Sequence, residues 1–163
     1  MSFIRSATAA DTAGICAILN PIIVDTTITF SPNPVTGADV ALAIATHAAR
    51  SAPYLVLEHD KQVQGYAKYG PFRDGEGYAR TAEITVHLSP SARGHGWGRK
   101  LVVALEDHAR SHGLRSLIAG ISAENRTALE FHAKLGFAHV GTVPEAGHKF
   151  GRYIDLVLMQ KSV

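Results

Sequence analysis

The segment from Ala82 to Ser122 constrains this chain more than any other. It runs AEITVHL, then a loop containing RGHGWGR, then an amphipathic helical pattern, then SLIAGIS. Two strand-like runs joined through a helix pair side by side only in parallel, because a parallel pair needs a long crossover. The helical stretch puts Leu101, Val102, Leu105 and Ala109 on one face and ends at Gly113. A strand–helix–strand unit therefore forms the middle of the fold.

The flanks supply antiparallel partners. FIRSA reads as a first strand, and Thr8 and Asp11 have capping-box spacing for a helix carrying Ile15, Ile18 and Leu19, which Pro21 limits. DTTITFSPNPVTG alternates briefly and breaks at two prolines; Thr36 and Asp39 then repeat the capping box for an alanine-rich helix to about Arg50. YLVLEH and VQGYAKYG predict a hairpin turning at Asp60–Lys61, and the longer loop GPFRDGEGYAR leads into AEITVHL, so these three strands form a meander. After SLIAGIS a helix runs from about Asn125 to Gly136. FAHVGTV and IDLVLMQ close the chain as two strands linked by the loop PEAGHKFGRY. The fold class is α+β: a mixed central sheet flanked by helices, with a parallel βαβ centre, in one domain over residues 1–163.

Composition narrows the partners. A chain of 163 residues buries a core without disulfides or a structural metal. Sixteen Lys+Arg against 14 Asp+Glu, a formal charge of +2, is too slight for a nucleic-acid-coating or membrane-bound surface, while a compact anionic ligand stays open. No apolar run has signal-peptide length or approaches the roughly 20 residues that span a bilayer, so a cytoplasmic protein is expected. The single cysteine, Cys16, lies among Ile15, Ile18 and Leu19 and reads as a buried inert thiol. His108 and His112 stand at i, i+4 without an HExxH context, and with His47 and His59 they read as surface residues. No metal is expected.

The glycine loop carries the first chemical signal. Glycine lets a ligand touch the backbone, and a following helix offers unpaired N–H groups and a positive dipole end, which together suit phosphates. A tight strand-to-helix turn without a ligand needs the same residues. The spacing is neither the dinucleotide GxGxxG nor the P-loop. Instead Arg93, Gly96 and Gly98 form R-x-x-G-x-G, which resembles the acetyl-CoA pyrophosphate loop of the GNAT N-acetyltransferases. Downstream, NRTALEFHAKLGF resembles their second signature, N-x-x-A-x-x-(L/F)-Y-x-x-x-G-F, with His132 in place of the tyrosine. Along nearly the whole chain TTITF, GPFR, AEITVHL, RGHGWGRKL, ALEFHAKLGF and GHKFGRYIDLVLMQK resemble the phosphinothricin-type branch, including methionine sulfoximine and methionine sulfone acetyltransferases.

The resemblance implies acetyl-CoA wedged between two splayed parallel strands, AEITVHL and SLIAGIS. Backbone groups around Val86, His87 and Leu88 would hold the pantetheine, and the amides of Gly94, His95, Gly96, Trp97, Gly98 and Arg99 would meet the phosphates. Arg93 and Arg99 would add charge or simply start a helix. Asn125 would bind the pantetheine arm, cap its helix, or both. Lys134 would reach the cofactor or lie on a solvated helix face. For the acceptor, the resemblance places the Thr26, Thr27 and Phe30 loop at the site. Arg73 after Phe72 offers a bidentate donor beside an apolar wall, with Arg80 and Lys149 as further cations. A small amino-acid acceptor and a homodimer are the implied partners.

Amide formation needs a neutral amine, so a base must take a proton. Alternation puts Glu83, Thr85 and His87 on one face of AEITVHL, and Glu83 is the candidate base; a surface carboxylate paired with Arg80 or a lysine would fit the same pattern. Ala128, Phe131, His132 and Leu135 share one helix face. His132 is either a satisfied core histidine or, as the resemblance favours, the acid that protonates the departing thiolate. The leading reading is α-amino acetylation of a small amino acid such as phosphinothricin, methionine sulfoximine or methionine sulfone. Acetylation of another amine or a protein N-terminus, and a non-catalytic acyl-CoA sensor, are the alternatives.

Overall fold

The computed structural model describes residues 1–163. One seven-stranded sheet runs through it in the order β1-β2-β3-β4-β5-β7-β6. Its strands are β1 (Ser2–Ser6), β2 (Tyr54–His59), β3 (Gln62–Pro71), β4 (Thr81–Leu88), β5 (Ser116–Ser122), β6 (Ala138–Lys149) and β7 (Arg152–Ser162). The helices are α1 (Thr12–Asp25), α2 (Gly37–Ala49), α3 (Trp97–Ser111) and α4 (Arg126–Lys134). Every pairing is antiparallel except β4 with β5, the parallel pair that the crossover requires.

The sheet separates two cores. Leu101, Val102, Leu105 and Ala109 of α3 pack on one face against Leu57, Ala67, Ile84 and Leu117, joined by Phe131 of α4 and by Leu135 just past its end. On the other face Ile15, Ile18 and Ile22 of α1 and Val40 and Ile44 of α2 cover Tyr54, Val56 and Tyr66. Alternation along β2 and β3 sends successive residues to opposite cores, as the period of a strand demands.

Local chemistry agrees with most boundaries. Asp60 and Lys61 both adopt positive φ, 50° and 63°, the conformation a two-residue hairpin of primed type needs. The Thr36 hydroxyl accepts from the Asp39 amide at 3.2 Å while the Asp39 carboxylate accepts from the Thr36 amide at 2.8 Å, completing the capping box of α2. The Thr8–Asp11 box caps a short 3-10 turn, Ala9–Asp11, that leads into α1.

Two expectations are corrected. Pro21 does not limit α1, which continues to Asp25; burial of Ile22 and Ile23 holds the last turn, and the Thr26 hydroxyl donates to the Ile22 carbonyl at 2.6 Å. The stretch PEAGHKFGRY is mostly strand, with the turn confined to Phe150–Gly151, both at positive φ. Register shifts between His139 and Gly141 and between Val143 and Gly147 break the two-residue period and hide the strand. His47 and His108 are also less superficial than expected, packing edge-on against Tyr54 and Tyr69.

Arg5 on β1 ties the start of the chain to β2 and the first turn. Its guanidinium donates to Asp11 at 2.7 and 2.8 Å and to Glu58 at 2.7 and 2.9 Å. The Arg5 hydrogen bonds hold the Asp11 pKa down to about 2 against the usual 3.8. A depressed carboxylate contributes stability that is present above about pH 4 and lost as pH falls towards 2. After solvent screening this amounts to about 1–2 kcal/mol. Arg5→Met is expected to lower the unfolding free energy by that amount near neutral pH and to flatten the loss between about pH 4 and pH 2, measured by urea titrations across that range.

Candidate active site

β4 and β5 pair only over Thr81–Ser116, Ala82–Leu117 and Glu83–Ile118. Past Glu83 each strand continues on its other partner, β4 with β3 to Leu88 and β5 with β7 to Ser122, so the two separate into a wedge. The amides of Phe72 and Ser89 bond the Thr81 carbonyl and the Gln64 carbonyl across β3–β4, at 3.4 and 2.9 Å. Strict alternation then turns the main-chain groups of Glu83, Thr85 and His87 towards β3 and those of Ile84, Val86 and Leu88 into the wedge. The Arg80 carbonyl, which accepts from the Arg115 amide at 2.9 Å, belongs to the same set on the β5 side. Backbone donors and acceptors of Val86 and Leu88 thus face a gap without a strand partner. An extended amide-bearing chain laid there completes the ladder.

At the mouth of the wedge Gly94 and Gly96 adopt φ of 82° and 74°, and a Cβ at either would meet nothing within 4 Å. The conformation demands glycine, and the open space leaves the loop amides accessible at the start of α3. Arg93, His95 and Arg99 are exposed around it. Trp97 packs against His59 and His95, with ring centroids 4.8 and 5.1 Å apart. Gly98 has a different reason: a Cβ there would come 3.1 Å from the Phe131 ring, so this glycine lets α3 approach α4.

Opening from the wedge is a cleft of about 450 Å³, lined among others by Phe30, Lys68, Glu83, His87, Asn125 and His132. Glu83 stands where the parallel pairing ends. Its carboxylate is open to the cleft rather than enclosed, yet desolvation by the walls raises its pKa, with the Arg73 charge opposing. Gly120 of β5 makes the room: a Cβ would lie 2.9 Å from Glu83 Oε1. His87 stands edge-on to the Tyr66 ring, and burial, with Lys68 and Arg93, brings its pKa down to about 4.

His132 is buried between Phe131 and Phe137, whose rings meet it edge-on. Its Nδ1 lies 2.8 Å from the Ala128 carbonyl. A carbonyl only accepts, so Nδ1 carries the proton and Nε2 carries the lone pair when the ring is neutral. Burial lowers the His132 pKa and favours that neutral form. Asn125 caps α4, its Oδ1 accepting from the Ala128 amide at 3.1 Å, and also lines the cleft.

The remaining candidates divide. Phe30 lines the cleft, its ring lying where a Cβ on Gly147 would fall. Thr27 is occupied, its hydroxyl donating to Glu124 at 2.6 Å. Phe72 and Arg73 stay together, the guanidinium 5.3 Å from the ring centroid, and Arg73 is close enough to act on Glu83. Arg73, Arg80 and Lys134 are exposed, and these three, like Thr27 and Phe72, line no part of the cleft. Lys149 does not present its charge to the cleft; it is 4% exposed and its Nζ donates to the carbonyls of Thr26 and Thr29, each at 2.7 Å. A buried ammonium tethering a bend satisfies those carbonyls, so Lys149 shapes the Thr26–Phe30 loop from behind. Lys68 and Gly120 escaped sequence reading. Alternation in VQGYAKYG does place Lys68 beside Tyr66 and Gly70 on the α1 face, but nothing in the run tells which face holds a cleft.

A wedge with a glycine loop at its mouth and a carboxylate at its apex suits an extended carrier laid between two parallel strands. Residues 4–158 match the family described as the acetyltransferase (GNAT) domain, and the chain belongs to that family. It is 39% identical over 158 residues to an L-methionine sulfoximine/L-methionine sulfone acetyltransferase of Pseudomonas aeruginosa, covering 96% of this chain and 92% of that one. A phosphinothricin acetyltransferase from Sinorhizobium meliloti in complex with AcCoA superposes with a TM-score of 0.94 at 31% identity, covering 99% of this chain and 88% of that one. A ribosomal-protein-alanine N-acetyltransferase from Brucella melitensis superposes with a TM-score of 0.95 at 38% identity, covering 99% of each chain.

Because a Cβ at position 120 would displace the Glu83 carboxylate, Gly120→Ala is expected to lower kcat by about 10- to 100-fold, the scale of a misplacement near 1 Å. The melting temperature and the affinity for the acyl carrier are expected to stay near wild type. Steady-state kinetics with calorimetry checks this, and an unchanged kcat would separate Glu83 from the chemistry.

Proposed function

We propose that this chain is an acetyl-CoA-dependent N-acetyltransferase, one catalytic domain acting on the α-amino group of a small amino acid such as phosphinothricin, methionine sulfoximine or methionine sulfone. The observation that carries the reading is Glu83 at the apex of the wedge, its pKa raised by desolvation. The wedge fits acetyl-CoA: the main chain of Val86 and Leu88 offers unpartnered groups to the pantetheine, the amides of residues 94–99 and the charges of Arg93 and Arg99 suit the phosphates, and Asn125 stands beside the arm. Acetyl-CoA supplies the activated acetyl group. No cluster of residues suited to hold a metal ion is present.

Glu83 takes the proton from the acceptor's ammonium, directly or through water, and its raised pKa makes it a stronger base than an ordinary carboxylate. Arg73, beside Glu83 and backed by Phe72, holds the acceptor carboxylate, while Phe30 on its Gly147 seat forms the wall over the acceptor. His132 at neutral pH is an acceptor at Nε2. It therefore passes a proton to the departing group only after receiving one.

Four of the large apolar side chains left exposed, Val140, Val143, Phe150 and Tyr153, lie on the β6–β7 hairpin, and β6 is an edge strand. These features support a homodimer through that hairpin, with a sedimentation mass of twice 17.4 kDa expected. A single-chain mass would remove it. The requirement for acetyl-CoA supports a cytoplasmic setting.

The test is CoA release with a panel of amines that includes methionine sulfone and a basic peptide; turnover of the peptide alone would move the reading to protein N-termini, and CoA binding without turnover would make the chain a sensor. Glu83→Gln is expected to reduce kcat by about 10²–10⁴-fold. Since the base must be ionised, activity falls as pH drops through the raised Glu83 pKa, an acid limb above the usual carboxylate range. Arg73 depresses that pKa, so Arg73→Ala is expected to move the limb to higher pH, read from kcat/KM profiles.

A further inference from the structure

Besides its histidines, the cleft is lined by three ionisable side chains, Tyr66, Lys68 and Glu83; burial raises the Tyr66 pKa and keeps that phenol neutral, which leaves Glu83 and Lys68 as the charged pair. Lys68 lies on β3 opposite Thr85, on the same sheet face as Glu83 and His87. Its Nζ sits 5.1 Å from the centroid of the Tyr54 ring. No carboxylate raises its pKa, which burial alone lowers. Its charge also falls on His47 and His87, depressing both. This end of the cleft is therefore positive, and the ammonium's partner there is a ring face rather than an anion. A half-buried ammonium without an anion is costly unless a ligand supplies one.

We infer that Lys68 is a specificity-determining residue that receives a second anionic group, at the end of the acceptor's side chain, so that the chain favours amino acids whose side chains end in a carboxylate, sulfonate or phosphinate. The inference rests on the transferase reading above. Register supports it. Gly70 is opposite Glu83 and Lys68 is opposite Thr85, so Lys68 stands one strand over from Glu83 and two residues along, an offset of about 7 Å along the strands and about 5 Å across them. That offset leaves room between the two side chains for a γ-substituted acceptor whose α-amino nitrogen lies at Glu83. Leu19, Ile28 and Phe30 line the cleft beside this path and suit the methylenes between the two ends. Arg73 lies beyond the far end of β3, next to Glu83, and is left for the α-carboxylate.

Methionine sulfone and homocysteate test this directly, because they differ only in a methyl group against an ionised oxygen on the same tetrahedral sulfur. Wild-type protein is expected to show a kcat/KM for L-homocysteate about 10-fold or more above that for L-methionine sulfone. Lys68→Met is expected to cut that ratio by about 10- to 100-fold, the range of a charge-assisted contact, and Lys68→Arg to keep most of it. An equal ratio in wild type and Lys68→Met overturns the inference, as does a wild-type preference for the sulfone or a Lys68→Met effect confined to the KM of acetyl-CoA. The wild-type ratio decides even where the variant folds poorly. Turnover of neither acceptor would sink the transferase reading itself, whereas turnover of both with an unchanged ratio sinks only the role of Lys68.

Discussion

The parallel pairing of β4 with β5 lasts three residues, and the rest of the molecule depends on where it stops. A parallel pair inside a sheet is normally buried and continuous. Here each strand keeps its outer antiparallel partner to the end while the inner ladder is abandoned after Glu83 and Ile118. The sheet remains one sheet at its base and becomes two at its top. Unpaired main-chain groups are thereby held rigidly apart, at a position that the crossover helix and its glycine loop approach from the same end. The cleft is a consequence of β-sheet geometry before any side chain is considered.

That geometry also explains why the two chemical groups come from opposite sides. Glu83 points to the face covered by α1 and α2, whereas His132 descends from α4 on the other face. Only where the sheet is split do both reach one cavity. Small residues keep the opening clear: Gly120 leaves space for the Glu83 carboxylate, and Gly147 leaves space for the Phe30 ring.

Much of this was legible in the sequence. The parallel crossover followed from two apolar runs flanking a helix, and the wedge residues followed from the resemblance carried by R-x-x-G-x-G and N-x-x-A. Glu83 stood out because a carboxylate in a central strand is costly. What sequence reading missed has a common physical cause. Lys149, read as a substrate cation, donates instead to two carbonyls more than a hundred residues away, and no local pattern encodes such a partner. The second half of β6, from Pro144 to Lys149, was hidden because a bulge between Val143 and Gly147 breaks the alternation on which recognition depends. Helix α1 runs through Pro21 because tertiary burial of Ile22 and Ile23 outweighs a local breaker. The histidine tautomer at position 132 needed the Ala128 carbonyl to be seen.

The loop from Thr26 to Phe30 is made early in the chain, yet what fastens it is made late. Lys149 takes the Thr26 and Thr29 carbonyls, Gly147 seats Phe30, and Arg152 holds, at 2.8 Å, the Glu124 carboxylate that receives Thr27. A nascent chain leaving the ribosome thus carries its carbonyl-lined bend unfastened until its last strands emerge. Order arrives with completion, and a polypeptide cut short before the final hairpin has the Thr26–Phe30 bend but lacks the groups that fasten it.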